Sequence, residues 1–467
     1  MSVTAEEMLG WCRELLDVDN CRAERSLADY LAGIPRLGSL SELPSGSRVL
    51  VRGDVDAKPG PDVGQGDIRL RSMGESLEFG RKSGWKQILF GHRGRKPEET
   101  LAKVAERLGE ILQCDVPLLD DWLDESTMTI RDAVAERIES SPPGTILMLE
   151  NTRRYAIERV LWKAEPDDLA DLSGPLAKLA NQFAEKVADS YVHEALSAGS
   201  LDASSTVVPA AMRRVAMGAY ESHEFEGPMS RCLSSELVVF SGLKADKLDD
   251  LEAMIARGKV KMVFVAGSLA MALRKAAAQL DGGSFSMGVA EDADHQDQPY
   301  FIAPARIDQA RRMVEQGRSK GIEFVLPVDF VLQDGRAARE IGPADQQLDI
   351  GPETSALFEQ KIGEFIAAHQ GRKTAAFHNG VFGKFEEPQF AEGTKRFVGQ
   401  LKRLKDVGVA VYVGGGEGGA ALEKYGSPDD VTHTFTAGGT VLNALGSEPV
   451  PYLVALFMAA RQAQPSS

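Results

Sequence analysis

From about residue 47 onward, short apolar runs alternate with amphipathic stretches of helical period, and no other feature so narrows the folds open to this chain. The first series places strands at 48–51, 87–90 and 145–149, with helices at 72–82 and 101–113. Strands separated by helices of that length do not pair as hairpins; the chain crosses over and returns parallel, which builds βαβ units. A second series places strands at 236–240, 262–265, 323–326, 374–377 and 409–413, with helical patterns between most of them. Between the two series lies a mostly helical stretch, 209–231, with few strand signals. The predicted fold class is α/β, with two doubly wound, mostly parallel-sheet (Rossmann-like) domains joined by a helical hinge. Residues 1–34 read as an extra helical segment, because Met8, Trp11, Leu15 and Leu16 recur at helix spacing, as do Leu27, Tyr30 and Leu31. The polar stretch 284–298 reads as an exposed loop.

Open parallel sheets bind ligands beyond the carboxyl ends of their strands. In the first series those ends carry Arg52 to Asp56, then Gly91-His92-Arg93-Gly94-Arg95, then Glu150-Asn151-Thr152-Arg153-Arg154. Five arginines therefore follow three strands, and Arg69 in the next helix can join them. Converging guanidiniums recognise phosphate or carboxylate bidentately. The concentration matters because the chain is acidic overall: 69 Asp and Glu against 53 Lys and Arg leave a formal net charge of -16. That balance excludes a general nucleic-acid binder. No stretch approaches the roughly 20 apolar residues that span a bilayer. The N-terminus, MSVTAEEMLGWC, has no basic region followed by an apolar run, so the expectation is a cytoplasmic protein. Cys12, Cys21, Cys114 and Cys232 form no C-x-x-C pair, which argues against structural zinc and thiol redox chemistry.

The second series ends its strands in glycine-rich turns: Ser241-Gly242-Leu243-Lys244, Ala266-Gly267-Ser268 and the run from Gly414 to Gly419. Backbone amides in such turns, at the start of a helix, face anions. Gly414, Gly416 and Gly419 also satisfy G-x-G-x-x-G, which keeps a dehydrogenase open. Its expected acidic residue is misplaced, however, since Asp429 and Asp430 precede the next strand. Lys244 and Lys247 lie three apart and can reach one phosphate from a single turn. Glu417 is placed to meet a metal carried by a nucleotide. One half that binds anions and one that cradles phosphates suit phosphoryl transfer, which needs little beyond positioning and charge compensation.

These residues, in order, resemble the phosphoglycerate kinase family. Val-Arg-Gly-Asp-Val-Asp at 51–56 resembles V-R-x-D-F-N, the segment 91–96 resembles S-H-L-G-R-P, and Glu-Asn-Thr-Arg at 150–153 resembles E-N-x-R. Tyr-Val-His-Glu-Ala at 191–195, Leu-Pro-Val-Asp at 326–329, Asp-Ile-Gly-Pro at 349–352 and Asn379-Gly380 continue the series, followed by 414–417 and 436–439. The resemblance implies phosphoryl transfer between MgATP or MgADP and the carboxylate or acyl phosphate of 3-phosphoglycerate or a related acid. It implies that Asp54, Asp56, His92, Arg95 and Arg153 bind the acid, where Arg93 and Arg154 stand ready to join them, and that Arg69, Lys244 and Lys247 are catalytic. Gly267, Asn379, Gly380, Glu386, Gly415, Gly416, Glu417 and Gly418 would bind the nucleotide, with Glu417 meeting Mg²⁺. The implied division is an N-terminal extension (1–44), an acid-binding domain (45–212), a connecting helix (213–233), a nucleotide-binding domain (234–435) and a C-terminal segment returning to the first domain (436–467). A monomer acting on small molecules, with no nucleic-acid or membrane partner, is expected.

The chain departs from the pattern in informative places. The family's H-R-A-H reads Ser200-Leu201-Asp202-Ala203, so an arginine for the acid's phosphate is Leu201 here. Asp56 replaces an asparagine and could pair with an ammonium group, so an amino-bearing acid enters the candidates. Arg93 and Arg154 are additional arginines that could compensate. G-G-A-K-V-x-D-K is one residue short between Lys244 and Lys247, and Glu417 and Gly418 replace aspartate and threonine. A non-catalytic nucleotide-binding scaffold is the alternative that these departures leave open.

Overall fold

The computed structural model describes residues 2–20, 25–57, 65–242, 247–437, 440–441, 444 and 449–463. The chain divides into two units. One comprises Met1–Glu226 together with Pro449–Ser467, the other Gly227–Glu448.

In the first unit the strands are β1 (Arg48–Gly53), β2 (Lys86–Phe90), β3 (Leu118–Leu119), β4 (Leu123–Asp124), β5 (Thr129–Ile130), β6 (Ile146–Leu149), β7 (Ser190–Glu194) and β8 (Arg214–Met217). Six of them form one parallel sheet in the order β3-β6-β2-β1-β7-β8, while β4 and β5 pair as a separate hairpin. β1, β2, β6 and β7 are buried along nearly their whole length, as parallel strands covered on both faces must be. One face packs Val49, Val51 and Leu89 with Leu77, Val104 and Leu108 of the crossover helices. The other stacks Phe90 on Phe183 and Tyr191, with ring centroids 5.4 and 6.2 Å apart. The strand order reverses between β1 and β7, where ligands gather in such sheets.

The stretch read as mostly helical also contributes a strand: Arg214–Met217 (β8) pairs in parallel with β7. Four residues are too few to show a strand's period. The N-terminal helices are built into this unit. Helix Ala5–Leu15 buries Met8, Trp11, Cys12 and Leu15, and the Trp11 indole donates to the Thr206 carbonyl at 2.8 Å. Helix Pro451–Ala463 packs against helix Leu27–Gly33, where the Tyr30 and Phe457 rings lie 5.3 Å apart. Tyr452 of the same helix stacks on His193 at 4.0 Å.

The second unit continues with β9 (Leu237–Gly242), β10 (Met262–Ala266), β11 (Glu323–Val325), β12 (Phe330–Leu332), β13 (Ala337–Ala338), β14 (Gln347–Ile350), β15 (Ala375–Asn379), β16 (Ala410–Gly414) and β17 (His433–Thr434). Its main sheet is parallel, in the order β11-β10-β9-β15-β16-β17, and its reversal falls between β9 and β15. Val239, Phe264, Phe358, Phe397 and Leu401 fill one face. A small antiparallel sheet, β13-β12-β14, was not visible in the sequence pattern, because its strands are two to four residues long. Within 284–298 the chain makes two 3-10 turns, Gly288–Glu291 and Ala293–His295.

Candidate functional site

In the first unit, the ends of β1, β2, β6 and β7 carry the arginine-rich turns. Gly91 lets the first two approach: a Cβ there would lie 2.7 Å from both the Arg52 guanidinium and the Gly53 carbonyl. Arg52, only 1% exposed, is wholly occupied internally. It donates to the Gly53 carbonyl (2.8 Å), the Ser204 hydroxyl (3.0 Å) and His92 Nδ1 (2.7 Å). A guanidinium can only donate, so Nδ1 accepts and the His92 proton sits on Nε2, 3.8 Å from Asp56. Burial lowers the His92 pKa, the neighbouring Asp202 opposes that, and Arg52 and Arg153 reinforce it. His92 is therefore neutral at pH 7.

Asp56 ties these loops together. Its Oδ1 accepts from the Gly94 amide at 2.8 Å, while Arg69 donates to its carbonyl (2.6 Å) and to Oδ2 (3.2 Å). Burial pushes the Asp56 pKa upward, but the Gly94 amide and the charges of Arg69 and Arg153 outweigh it, and the carboxyl stays below its ordinary value. Asp54, fully buried, accepts from the Ser197 hydroxyl at 2.6 Å and lies 3.9 Å from Arg69. Arg153 bonds the Gly94 carbonyl (2.7 Å) and Asp202 (3.0 Å), and its guanidinium lies 4.8 Å from the Trp162 ring centre. Asp54, Asp56, Arg69, His92 and Arg153 thus converge. Arg69 reaches them from the latter half of helix Gln65–Ser72.

Three expected residues are placed otherwise. Arg154 pairs with Asp120 (2.6 Å) and Glu150 (3.4 Å), and Arg93 donates to the Thr100 carbonyl (2.8 Å), so neither joins the converging group. Arg95 is exposed. Arg93 and Arg154, offered by the sequence as compensation for Leu201, thus stand outside the converging group.

Sequence reasoning missed the centre of this cluster. Asp202, fully buried, lies 3.0 Å from Arg153, 3.3 Å from His92 Nδ1 and 3.8 Å from Arg52, and accepts from the Trp162 indole at 2.9 Å. Burial works to raise its pKa, but the positive groups around it hold the carboxyl well below the usual range. Beside it, Glu158 accepts from the Ser204 amide (2.9 Å) and hydroxyl (2.5 Å), and burial together with the Asp202 charge raises its pKa to about 7. The available signal for Asp202 was a carboxylate standing where the H-R-A-H pattern has alanine.

In the second unit, the register aligns Asn379 with Phe240 and Gly414, and a bridge joins Gly242 to Gly267, so four strand ends present their turns together. Lys247 donates from Nζ to the Ser241 carbonyl at 2.7 Å. A Cβ on Gly242 or Gly380 would lie 3.0 or 3.1 Å from that ammonium, which therefore rests on both glycine backbones. Gly380, at φ +101°, admits no side chain, because its Cβ would overlap the Ser241 carbonyl oxygen. Gly267 (φ +66°) and Gly415 (φ +87°) open helices Gly267–Leu280 and Gly416–Tyr425, and no side chain caps either start. Gly418 faces the Gly380 amide, so the start of helix Gly416–Tyr425 abuts the same turn. Uncapped helix amides beside an ammonium make an anion cradle.

Glu417 is exposed in the first turn of that helix. Glu386 is exposed in a different region, since its neighbour Phe385 accepts from Lys424 and Tyr425 in the helix's last turn. Lys244 lies outside the described residues. His378 packs among Phe382 and Phe397, and burial, aided by Lys247, lowers its pKa to about 4, so it acts as a neutral core residue. Two further motif residues shape the fold: Asp329 accepts from the Glu353 and Thr354 amides at 3.1 and 2.7 Å, and Asp349 from that of Gly393 at 2.9 Å. Among the described residues no cluster of three His, Cys, Asp or Glu could hold a metal by itself, and no helix is long and apolar enough to cross a membrane.

Comparison with known proteins agrees with this fold. A family model described as "Phosphoglycerate kinase" matches residues 42–448. The cytosolic phosphoglycerate kinase of Triticum aestivum is 29% identical over 441 residues, covering 90% of this chain and 98% of the relative. That of Synechococcus sp. (strain JA-2-3B'a(2-13)) is 30% identical over 439 residues, covering 88% and 95%. The crystal structure of phosphoglycerate kinase from Pyrococcus horikoshii OT3 superposes with a TM-score of 0.69 at 24% identity, covering 92% of this chain and all of that one. At that identity the superposition speaks for the fold alone.

Proposed function

The chain belongs to the phosphoglycerate kinase family, and we propose that it transfers a phosphoryl group between ATP and the carboxylate of a small acid, 3-phosphoglycerate or a related one. The observation that carries this reading is the Lys247 ammonium resting on Gly242 and Gly380 beside the uncapped start of helix Gly416–Tyr425. Such a cradle suits the phosphates of a nucleotide.

A carboxylate oxygen of the acid attacks the γ-phosphorus as the bond to the β–γ bridging oxygen breaks, and ADP departs with that electron pair. No proton moves, because the acid is already ionised at neutral pH, so no general base is required. Lys247 would neutralise the transferring oxygens, with Lys244 as a second candidate. Arg69, the most accessible cation bonded to Asp56, would steady the acid. Asn379, Gly380, Gly267 and the turn from Gly415 to Gly418 would hold the phosphates, and Glu386 the ribose. Glu417 offers one exposed carboxylate, which fits Mg²⁺ shared with nucleotide phosphates, and the metal would supply charge neutralisation there.

The test is trapping of acyl phosphate by hydroxylamine from purified protein with MgATP and a panel of carboxylic acids, 3-phosphoglycerate included. Hydroxamate that falls at least 100-fold in Lys247→Ala supports the reading. A second reading, a nucleotide-binding scaffold, is favoured by one observation, the occupation of Arg153 by Asp202. ADP binding without hydroxamate from any acid would select it.

A further inference from the structure

We propose that Asp202 sets the charge class of the acid: the first unit's site takes a small carboxylate without a phosphate group, of net charge −1 or zero, amino-bearing acids included. This rests on the phosphotransferase reading above. Two guanidiniums and an indole N–H converge on one point, an arrangement that recognises a bound oxyanion. Here that point is filled by the protein's own carboxylate.

The backbone at Asp202 is fixed. Its carbonyl accepts from the Ser205 amide (3.0 Å) and from the Thr206 amide and hydroxyl (3.0 and 2.9 Å), which fixes the residue at the start of helix Ala203–Thr206. Nor does a neighbour restore the cation, for Leu201 stands beside it and Arg93 and Arg154 are held elsewhere. Apart from Glu158, half protonated at neutral pH, the charges also balance without a ligand. Arg52, Arg69 and Arg153 face Asp54, Asp56 and Asp202, with His92 neutral among them. An incoming phosphate dianion would meet arginines that are already paired and a buried carboxylate that repels it. A carboxylate of single charge can still be met by Arg69, and Asp56, about a third exposed, can accept from an ammonium group.

Titration calorimetry of the full chain tests this with 3-phosphoglycerate and inorganic phosphate as probes, on wild type, Asp202→Asn and the double variant Leu201→Arg/Asp202→Ala. Wild type is expected to bind 3-phosphoglycerate weakly, and each variant roughly 10- to 100-fold more tightly, the range of one or more charge-assisted contacts. Because removing Asp202 takes a carboxylate from beside two buried guanidiniums, thermal melting gives a second readout. Inorganic phosphate should raise the Tm of the variants and leave that of wild type unchanged, a rescue that a merely structural aspartate would not show. Wild-type affinity for 3-phosphoglycerate equal to or tighter than that of the variants overturns the proposal. MgADP affinity, measured in parallel, should be the same in all three. If the probes behave as expected but no acid yields hydroxamate, the phosphotransferase reading fails and the charge assignment of the site stands.

Discussion

Glu158 allows the electrostatics of the acid-side cluster to be measured without any ligand. Its side chain is buried beside Asp202, and its pKa stands at about 7 against an ordinary value of 4.5. Between those two pH values the folded chain holds a proton that the unfolded chain has lost. Stability therefore falls as pH rises through this window and levels off above pH 7. One pKa unit corresponds to about 1.4 kcal/mol, so raising the pH from 5 to 8.5 should cost about 3 kcal/mol through this residue alone. Glu158→Gln removes the titration while leaving a carbonyl oxygen for Ser204 to reach. The assay is intrinsic to the molecule, since Trp11, Trp85, Trp122 and Trp162, all the tryptophans of the sequence, belong to the first unit. Urea unfolding followed by tryptophan fluorescence thus reports that unit. With a slope near 3 kcal/mol/M, the wild-type midpoint should drop by about 1 M relative to Glu158→Gln between pH 5 and 8.5. Glu194, whose pKa burial and Glu221 raise to about 8, adds a decline of the same sign to both proteins and cancels in the comparison. Parallel midpoint curves for the two proteins would refute the reasoning.

Two further perturbations address the second unit. Gly380→Ala places a Cβ against the Ser241 carbonyl at a left-handed backbone position, which costs at least about 1–2 kcal/mol, and shifts the turn under Lys247. MgADP binding by calorimetry should weaken at least 10-fold while the tryptophan-reported transition stays in place. Asp329→Ala strips the acceptor from two amides at the start of helix Pro352–His369 and should destabilise the second unit by about 2–3 kcal/mol. Scanning calorimetry would show it, and an unmoved melting profile would rule the capping role out.

The long strands were legible because each of β1, β2, β9, β10, β15 and β16 is a run of five or six residues followed by glycine or a charged turn. Shorter pairings such as β8 and β17 carry no period of their own and form because a neighbouring strand offers unpaired backbone groups. The same contrast governs the site. The glycine turns and the residues around Asp56 were readable from local spacing, since strand ends place them. Asp202 was not, because its partners Arg52, His92 and Arg153 lie 49 to 150 positions away in sequence. Arg93 and Arg154 sit at the same strand ends, yet the Thr100 carbonyl and Asp120 hold their side chains apart from the converging group.

Helix Pro451–Ala463 has a consequence for how the molecule is made. A chain emerging from the ribosome supplies the first 226 residues, then the whole second unit, and only then this helix. At roughly 5–20 residues per second, the early portion waits about 10–45 s for its final piece. Throughout that interval His193 lacks the Tyr452 ring that stacks on it, and Tyr30 lacks Phe457. The second unit, contiguous in sequence, can finish folding in the meantime. The part translated first is thus the last to be completed.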